Sequence, residues 1–365
     1  MPDWTASMQR SYEYYTVDAN SWTDVSRLTN VKSSSVNRDS QTGSLGSASI
    51  DMIDTLGECY VRTYLVTNQN GVKERHCLGT HLVQTPSSSF NGKVRSATAD
   101  AYTPLIELKE NQPPLGYTVR KGSKILDAAY DIVSKNVRAP VIKNGGIFGN
   151  DQSGNYVDIS PTLETDFVAN VNDTWLTFVI DLLANAKYEL GLDEMSRILF
   201  APIQDTASLQ PVWTYTDDNS SILYPDLTML YDLYNIPNVV EVIYSNGSKT
   251  VYSTVVNDDP NSPTSTVNRG RKITRRITDP SIAGAATQLR VDEYAKQALR
   301  SLSTIEYEVS YTHAYCPVRV GDCVRFNHKS AGLTNVKGKV ISQGIKCSPA
   351  CPVSEKALIV AKLWG

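Results

Sequence analysis

Two hairpin signatures, in separate parts of the chain, most constrain how this sequence can fold. In the first, Val61, Thr63 and Leu65 alternate with other residues ahead of Asn70-Gly71. Asn and Gly readily adopt the positive φ that both central positions of a type I′ turn need. The second signature, IPNVVEVIYSNGSKTVYSTVV, turns in the same way at Asn246-Gly247. Strand-like sequence surrounds both, so the chain is predicted to contain two blocks of antiparallel β-structure.

Between the two blocks, the apolar residues recur at helical spacing. GSKILDAAYDIVSKNV predicts one helix, with an apolar stripe from Ile125 to Val133. NDTWLTFVIDLLANAKYELGLD predicts a second, capped by Asp173 and ended by Gly191. A third helix is predicted inside the second block by LRVDEYAKQALRSLS, which has apolar residues on one face.

These patterns predict a mainly β protein with an α/β insert. The expected organisation is an N-terminal arm over residues 1–24, ordered only against a neighbour, a first β domain over 25–110, an inserted α/β domain over 111–221, and a second β domain with one helix over 222–365. At 365 residues the chain is long enough for two or three domains.

Composition narrows the classes of function. The formal net charge of −3 gives no sign of a surface for nucleic acid or anionic membrane. No signal peptide and no apolar run of about 18 residues is visible, so synthesis in a cytosol with reduced thiols is expected. Tyr outnumbers Phe by 20 to 6, which suits half-buried or contact positions because the ring packs while the hydroxyl stays wet.

The sequence offers no persuasive catalytic set. It has no nucleophile elbow, phosphate-binding glycine loop or HExxH motif. His76 and His81 stand five residues apart in one strand, so they are expected on opposite faces. Both are interpreted as hydrogen-bonded surface groups rather than as bases or metal ligands. Acidic pairs at 217–218 and 258–259 are best interpreted as turn residues. The basic run at 269–276 is interpreted as solvated strand rather than as a phosphate contact.

The six cysteines divide into two groups. Pairing about Asn70-Gly71 places Cys77 opposite Tyr64, so Cys59 is too far away for a disulfide, and both are expected as thiols. The other four follow the pattern C-x6-C, 23 residues, C-x3-C: Cys316, Cys323, Cys347 and Cys351. Four thiolates at two loop ends could hold zinc or an iron–sulfur cluster. Two local disulfides or four inert thiols are the alternatives.

The order of these elements resembles that of bacteriophage tail hub proteins. LTNVKSSSVNRDSQTGSLGSASIDMI, CYVRTYLV, CLGTHLVQTP and ATADAYTPLIEL resemble their first barrel. NVVEVIYS, TVVNDDPNSPTSTVNRGRKIT, VDEYAKQALRSLSTIEYEVSY and CPVRVGDCVRF resemble their second. The stretch at 111–221 takes the place of that family's inserted domain. The resemblance implies two tube-like antiparallel β-barrel domains.

It also implies a structural function. Hub proteins of this family are homotrimers whose six barrels form a pseudo-sixfold ring around the DNA channel, joining the sixfold tail tube or distal tail ring to the threefold tip. The implied partners are other copies of the chain, a distal tail or tail-tube protein, a tape-measure protein and a spike or fibre protein, with DNA only in passage and no membrane-spanning segment. The implied location is the virion tail tip, after assembly in the host cytoplasm.

Two further expectations come with the resemblance. Some tail hubs carry an iron–sulfur cluster on cysteines of their terminal domain, and the four C-terminal cysteines are the positions that could match. The alternative function is a tail-associated cell-wall hydrolase or peptidase, with a site in the insert at an acid such as Glu164 or Asp166. Because the sequence ends directly after a strand, lytic activity is expected on a separate protein, and the main hypothesis is a non-enzyme.

Overall fold

The first block is almost entirely β-structure. A computed structural model describes residues 2–53, 56–93, 95–150, 155–245, 250–281 and 287–364. The block consists of β1 (Gln9–Val17), β2 (Asp24–Leu28), β3 (Val31–Asp39), β4 (Gly46–Met52), β5 (Cys59–Gln69), β6 (Val72–Phe90), β7 (Arg95–Tyr102) and the short helix α1 (Ile106–Lys109).

The insert mixes helices with short strands, as the sequence predicts. It contains β8 (Thr118–Val119), α2 (Ile125–Asn136), β9 (Phe148–Asn150), β10 (Tyr156–Asp158), β11 (Phe167–Val168), α3 (Trp175–Ala184), β12 (Tyr188–Leu192), β13 (Ile198–Pro202) and β14 (Trp213–Thr216).

The second block returns to strands around one long helix. Its elements are β15 (Leu223–Leu230), β16 (Val239–Ser245), β17 (Thr250–Val256), α4 (Thr266–Arg269), β18 (Thr274–Thr278), α5 (Gln288–Leu302), β19 (Thr304–Ala314), β20 (Cys323–His328), a 3₁₀ turn at Lys329–Ala331, β21 (Leu333–Cys347) and β22 (Pro352–Lys362). The prediction of a mainly β chain with an α/β insert is therefore confirmed.

One large sheet joins the two blocks. Its strand order is β15-β19-β22-β21-β3-β4-β7-β6-β5-β1-β2, with β20 and β14 branching from β21. The seam is the antiparallel pairing of β3 with β21, from Ser342 opposite Asp39 to Cys347 opposite Ser34. In the described part of the chain this path is open, with β15 and β2 at its ends. Closure of each block into a tube stays a prediction, as do the domain boundaries.

The N-terminal stretch differs from the predicted arm. Over Gln9–Val17 it forms β1, which pairs with β5 of the same chain along its whole length. Ahead of the strand, the Trp4 ring packs edge-on against His76 at 5.0 Å and Tyr315 at 5.3 Å. The prediction of an arm ordered only by a neighbour was wrong over Gln9–Val17, because this segment is a partly buried strand paired with the same chain.

The first hairpin turns where the sequence predicts. Asn70 and Gly71 have φ values of 53° and 83°, as a type I′ turn requires. In the second hairpin, β16 pairs with β17 as predicted, while Asn246-Gly247 lies outside the described residues.

Both helices of the insert are present, but α3 begins and ends differently from the prediction. Its N-cap is Thr174, which forms a capping box with Thr177, whereas the Asp173 carboxylate accepts the backbone N–H of Asn170. The helix ends at Ala184, and Gly191 lies in β12, paired with Leu199 of β13.

Three apolar cores lie behind these elements. The largest lies under the joined sheet and takes residues from both blocks, among them Val36, Leu65, Val309 and Ile345. The second is formed mainly by α2 and α3. The third is small and lies between α5 and β16–β17, around Val240 and Val291.

Candidate functional site

A buried cluster of polar side chains surrounds Glu355 on β22. Glu355 is 2% exposed. Its carboxylate accepts hydrogen bonds from Tyr215 at 3.2 Å, from Gln343 at 2.5 Å and from Tyr311. His313 Nε2 lies 3.3 Å from it. These partners come from β14, β21 and β19, so the cluster exists only when four strands are assembled.

His313 is held as an imidazolium. Its Nδ1 lies 2.8 Å from the carbonyl oxygen of Ala314, which can only accept, so Nδ1 carries a proton. Its Nε2 faces the Glu355 carboxylate. Burial by itself would lower the pKa of His313, but the contacts with Cys316 and Glu355 outweigh it and raise that pKa to about 10.

Cys316 lies beside this histidine. Its Sγ is 3.9 Å from His313 Nδ1, and its side chain is buried. The Nδ1 proton is directed at the carbonyl oxygen of Ala314, 2.8 Å away, rather than at the more distant sulfur. The Cys316, His313 and Glu355 side chains thus lie together in one buried set of contacts.

The other predicted metal ligands lie in different surroundings. Cys347 ends β21, and burial raises its pKa to about 12; burial also raises the pKa of Cys351 and of Cys323. Burial thus favours thiols over the thiolates that ligate metals. The described residues contain no group of three or more His, Cys, Asp or Glu side chains that could hold a metal ion. All six cysteines are free thiols in this structure.

The four cysteines are thus not gathered into one ready-made site. Metal or cluster binding by Cys316, Cys323, Cys347 and Cys351 stays a prediction from the sequence. The geometric argument about the other two is confirmed, since Cys77 pairs with Tyr64 and Cys59 pairs with Val83.

The acids proposed for a hydrolase lie on an exposed loop of the insert. Asp166 accepts the backbone N–H of Lys121 at 2.7 Å and a guanidinium N–H of Arg120 at 3.0 Å. These bonds lower the pKa of Asp166, the backbone bond being the larger cause, so the group is a poor proton donor near neutral pH. Glu164 lies on the exposed surface of the same loop.

The basic run is divided between the short helix α4 and the exposed strand β18. Arg269 ends the short helix α4 and donates to the carbonyl oxygens of Ile236 and Leu233 at 2.7 and 2.9 Å. Arg276 pairs with Glu241 at 2.7 Å. The prediction of a solvated strand with outward basic side chains is therefore wrong at Arg269, where the chain is helical and the guanidinium is turned towards backbone carbonyls. It is confirmed for the exposure of Arg271 and Lys272.

His81 is a residue whose surroundings the sequence did not reveal. It was expected to face away from His76, but the β5–β6 register shifts between Thr63 and Tyr64, which pair with Gly79 and Cys77. The partners of the two histidines, Val61 and Leu65, stand four residues apart and so share a face. The only signal for this bulge was Gly79, whose φ is +149°. His81 lines a cavity between the two blocks and the insert.

Two solved structures have a similar architecture. The tail protein from Neisseria meningitidis MC58 superposes with a TM-score of 0.56 at 12% identity, covering 95% of this chain and 96% of that one. The 43 kDa tail protein of prophage MuSo2 from Shewanella oneidensis superposes with a TM-score of 0.57 at 12% identity, covering 95% and 98%. The chain has the fold of phage tail proteins.

The resemblance stated from sequence is thereby confirmed at the level of fold. No family model matches the sequence, and a search of curated proteins gives no match. Within the described residues, no helix is both long and apolar enough to cross a bilayer.

Proposed function

We propose that this chain is a structural protein of a phage tail, and that it acts as the homotrimeric hub of the tail tip. The observation that carries the proposal is the fold, which matches two phage tail proteins over 95% of this chain and nearly all of theirs. The proposed trimer forms a pseudo-sixfold ring that joins the tail tube or distal tail ring to the threefold tip, with DNA passing through its channel.

The open ends of the large sheet support assembly into a ring. β15 and β2 each lack a second partner strand in the described chain. Unpaired edges template pairing with other chains, and a head-to-tail contact that closes gives a ring. The proposed neighbours are further copies of this chain, a distal tail or tube protein, a tape-measure protein and a spike or fibre protein.

A surface suited to the contact between copies adjoins β15. We call it the β15 strip, and it is an exposed set of aromatic and aliphatic residues: Tyr224, Leu230, Tyr231, Leu233 and Tyr234. Exposed apolar and tyrosine-rich patches of this kind mark protein contacts. A non-enzymatic role is consistent with the burial of Cys316 and His313 and with the ion-paired state of Asp166.

The experiment is a mass and shape measurement on the purified chain. Light scattering coupled to size exclusion should give three times the chain mass, and negative-stain class averages should show a ring with a central hole. Tyr234→Asp should weaken the trimer, whereas Val171→Asp, an equally exposed position in the insert, should leave it intact. A monomer at all concentrations, or particles without a hole, would refute the hub.

A further inference from the structure

A cavity of about 770 Å³ lies where the first block, the insert and the second block meet. Its walls include Arg38 and His81 from the first block, β12 and β13 from the insert, and Arg319 from the second block. Much of its lining is aliphatic, as at Leu45 and Ile203. A cavity of this size with apolar walls and a few converging polar groups is the usual form of a small-molecule site.

Arg38 gives this cavity a buried positive charge that no carboxylate of the described residues contacts. Its side chain is 9% exposed, and its guanidinium donates to Gln343 Oε1 at 3.1 Å and to the carbonyl oxygen of Leu78 at 2.9 Å. Both acceptors are neutral. Burial, and after it the charge of Arg319, lowers the pKa of Arg38 to about 10, so the group is still charged at neutral pH. An unpaired buried charge is costly unless an anion compensates it.

The other charges at the cavity are already balanced. Lys339 lies 3.4 Å from Glu189, and Asp193 is held by Arg197 at 2.5 Å. Arg319 lies 3.6 Å from Glu194. Arg38 is therefore the cation among these groups that has no paired carboxylate. One bound negative charge would neutralise it.

His81 supplies a polar group without a partner beside that charge. It is 3% exposed, and its Nδ1 has no hydrogen-bond partner in the structure. Burial, with a smaller effect from Arg38, lowers its pKa to about 3, so the imidazole is neutral and offers one N–H donor. A Cβ at Gly79 would stand 2.7 Å from His81 Cε1, so only glycine lets the ring lie where it does.

We propose that this cavity binds an organic monocarboxylate with an aliphatic body. The carboxylate lies between Arg38 and Arg319 and accepts from His81, and the aliphatic chain packs along the walls formed by the insert. A single carboxylate matches the one uncompensated charge, whereas a phosphate dianion would leave a buried negative charge in excess. This site is additional to the proposed role in the tail.

The test uses the full chain and octanoate as the probe. Calorimetric titration should show saturable binding of octanoate and a raised midpoint of thermal unfolding. Octan-1-ol, which lacks the charge, and inorganic phosphate, which lacks the aliphatic body, should bind at least about tenfold more weakly, a difference of about 1.4 kcal/mol. Equal binding of octanoate and octan-1-ol would overturn the proposal, and so would no binding of octanoate.

Variants assign the binding to this cavity. Arg38→Met should abolish the octanoate response, whereas Arg120→Met, which changes an exposed arginine of the insert, should preserve it. If Arg38→Met does not fold, Arg319→Met, which changes the second arginine of the cavity, should weaken octanoate binding. In the unmodified chain, the ¹⁵N resonances of His81 should shift when octanoate is added. Unchanged His81 resonances at octanoate saturation would place the ligand elsewhere and refute the assignment.

Discussion

At the residue scale, the Glu355 cluster shows how a β-rich core tolerates charge. A carboxylate buried at 2% exposure is stable only when its lone pairs are satisfied, and here Tyr215, Tyr311 and Gln343 donate to it while His313 balances its charge. Removing one member leaves a buried polar group unsatisfied, so these positions are expected to tolerate substitution poorly.

The titration of His313 predicts a pH dependence of stability. Its pKa is about 10 in the folded chain against 6.5 for an ordinary histidine. The folded state therefore holds a proton that the unfolded state releases between these values, so the stabilisation is complete below pH 6.5 and is lost as the pH rises towards 10. Between pH 7 and 8.5 the free energy of unfolding should fall by up to about 1.4 kcal/mol per pH unit, measured by urea denaturation.

Substitution tests this assignment. His313→Asn should remove most of the slope, whereas His328→Asn, which changes a partly exposed histidine, should retain it. An unchanged slope in His313→Asn would contradict the prediction. If that variant does not fold, ¹⁵N spectra of the unmodified chain at pH 8 should show both nitrogens of His313 protonated.

The sequence could predict which residues pair across a hairpin where the position of the turn defines the register. Cys77 was correctly placed opposite Tyr64, because pairing counts outward from a turn that Asn70 and Gly71 define. It could not predict the surroundings of His81, because one bulge residue reverses the alternation of faces. Nor could it predict the partners of Glu355, which lie on strands far apart in sequence.

At the element scale, helices were predictable where their signals are local. The apolar stripe of α2 needs only its own residues, and the structure begins and ends that helix within the predicted stretch. The end of α3 was not predictable in this way, because the residues up to Gly191 pair with β13 and tertiary contacts override a local stop signal.

The start of α3 gives a prediction about capping. The Thr174 hydroxyl accepts the backbone N–H of Thr177 at 3.2 Å. Thr174→Ala should cost about 1 kcal/mol of unfolding free energy, whereas Thr174→Ser keeps the acceptor and should cost far less. Urea denaturation at one protein concentration measures both. Equal losses in the two variants would contradict the assignment of the Thr174 hydroxyl as the cap.

At the scale of the whole molecule, the seam between β3 and β21 makes one core of two blocks. Val36 and Ile345 face each other across it, and both are buried. Ile345→Ala should therefore destabilise by about 2–5 kcal/mol and speed amide exchange in β4 and β22 alike. Val291→Ala, in the small core beside α5, should act first on β16 and β17. Faster exchange confined to β22 in the Ile345 variant would show that the blocks unfold separately.

The seam also fixes an order of events during synthesis. Ser40, directly after β3, bonds to Ile341, a residue that the ribosome adds 301 positions later. Until then β3 has a bare edge, and pairings this distant form slowly because a long loop must close first. A nascent copy therefore spends most of translation with the edge of β3 unpaired, so that it can pair with strands of other chains and aggregate. Binding of a chaperone to the nascent chain would reduce that aggregation.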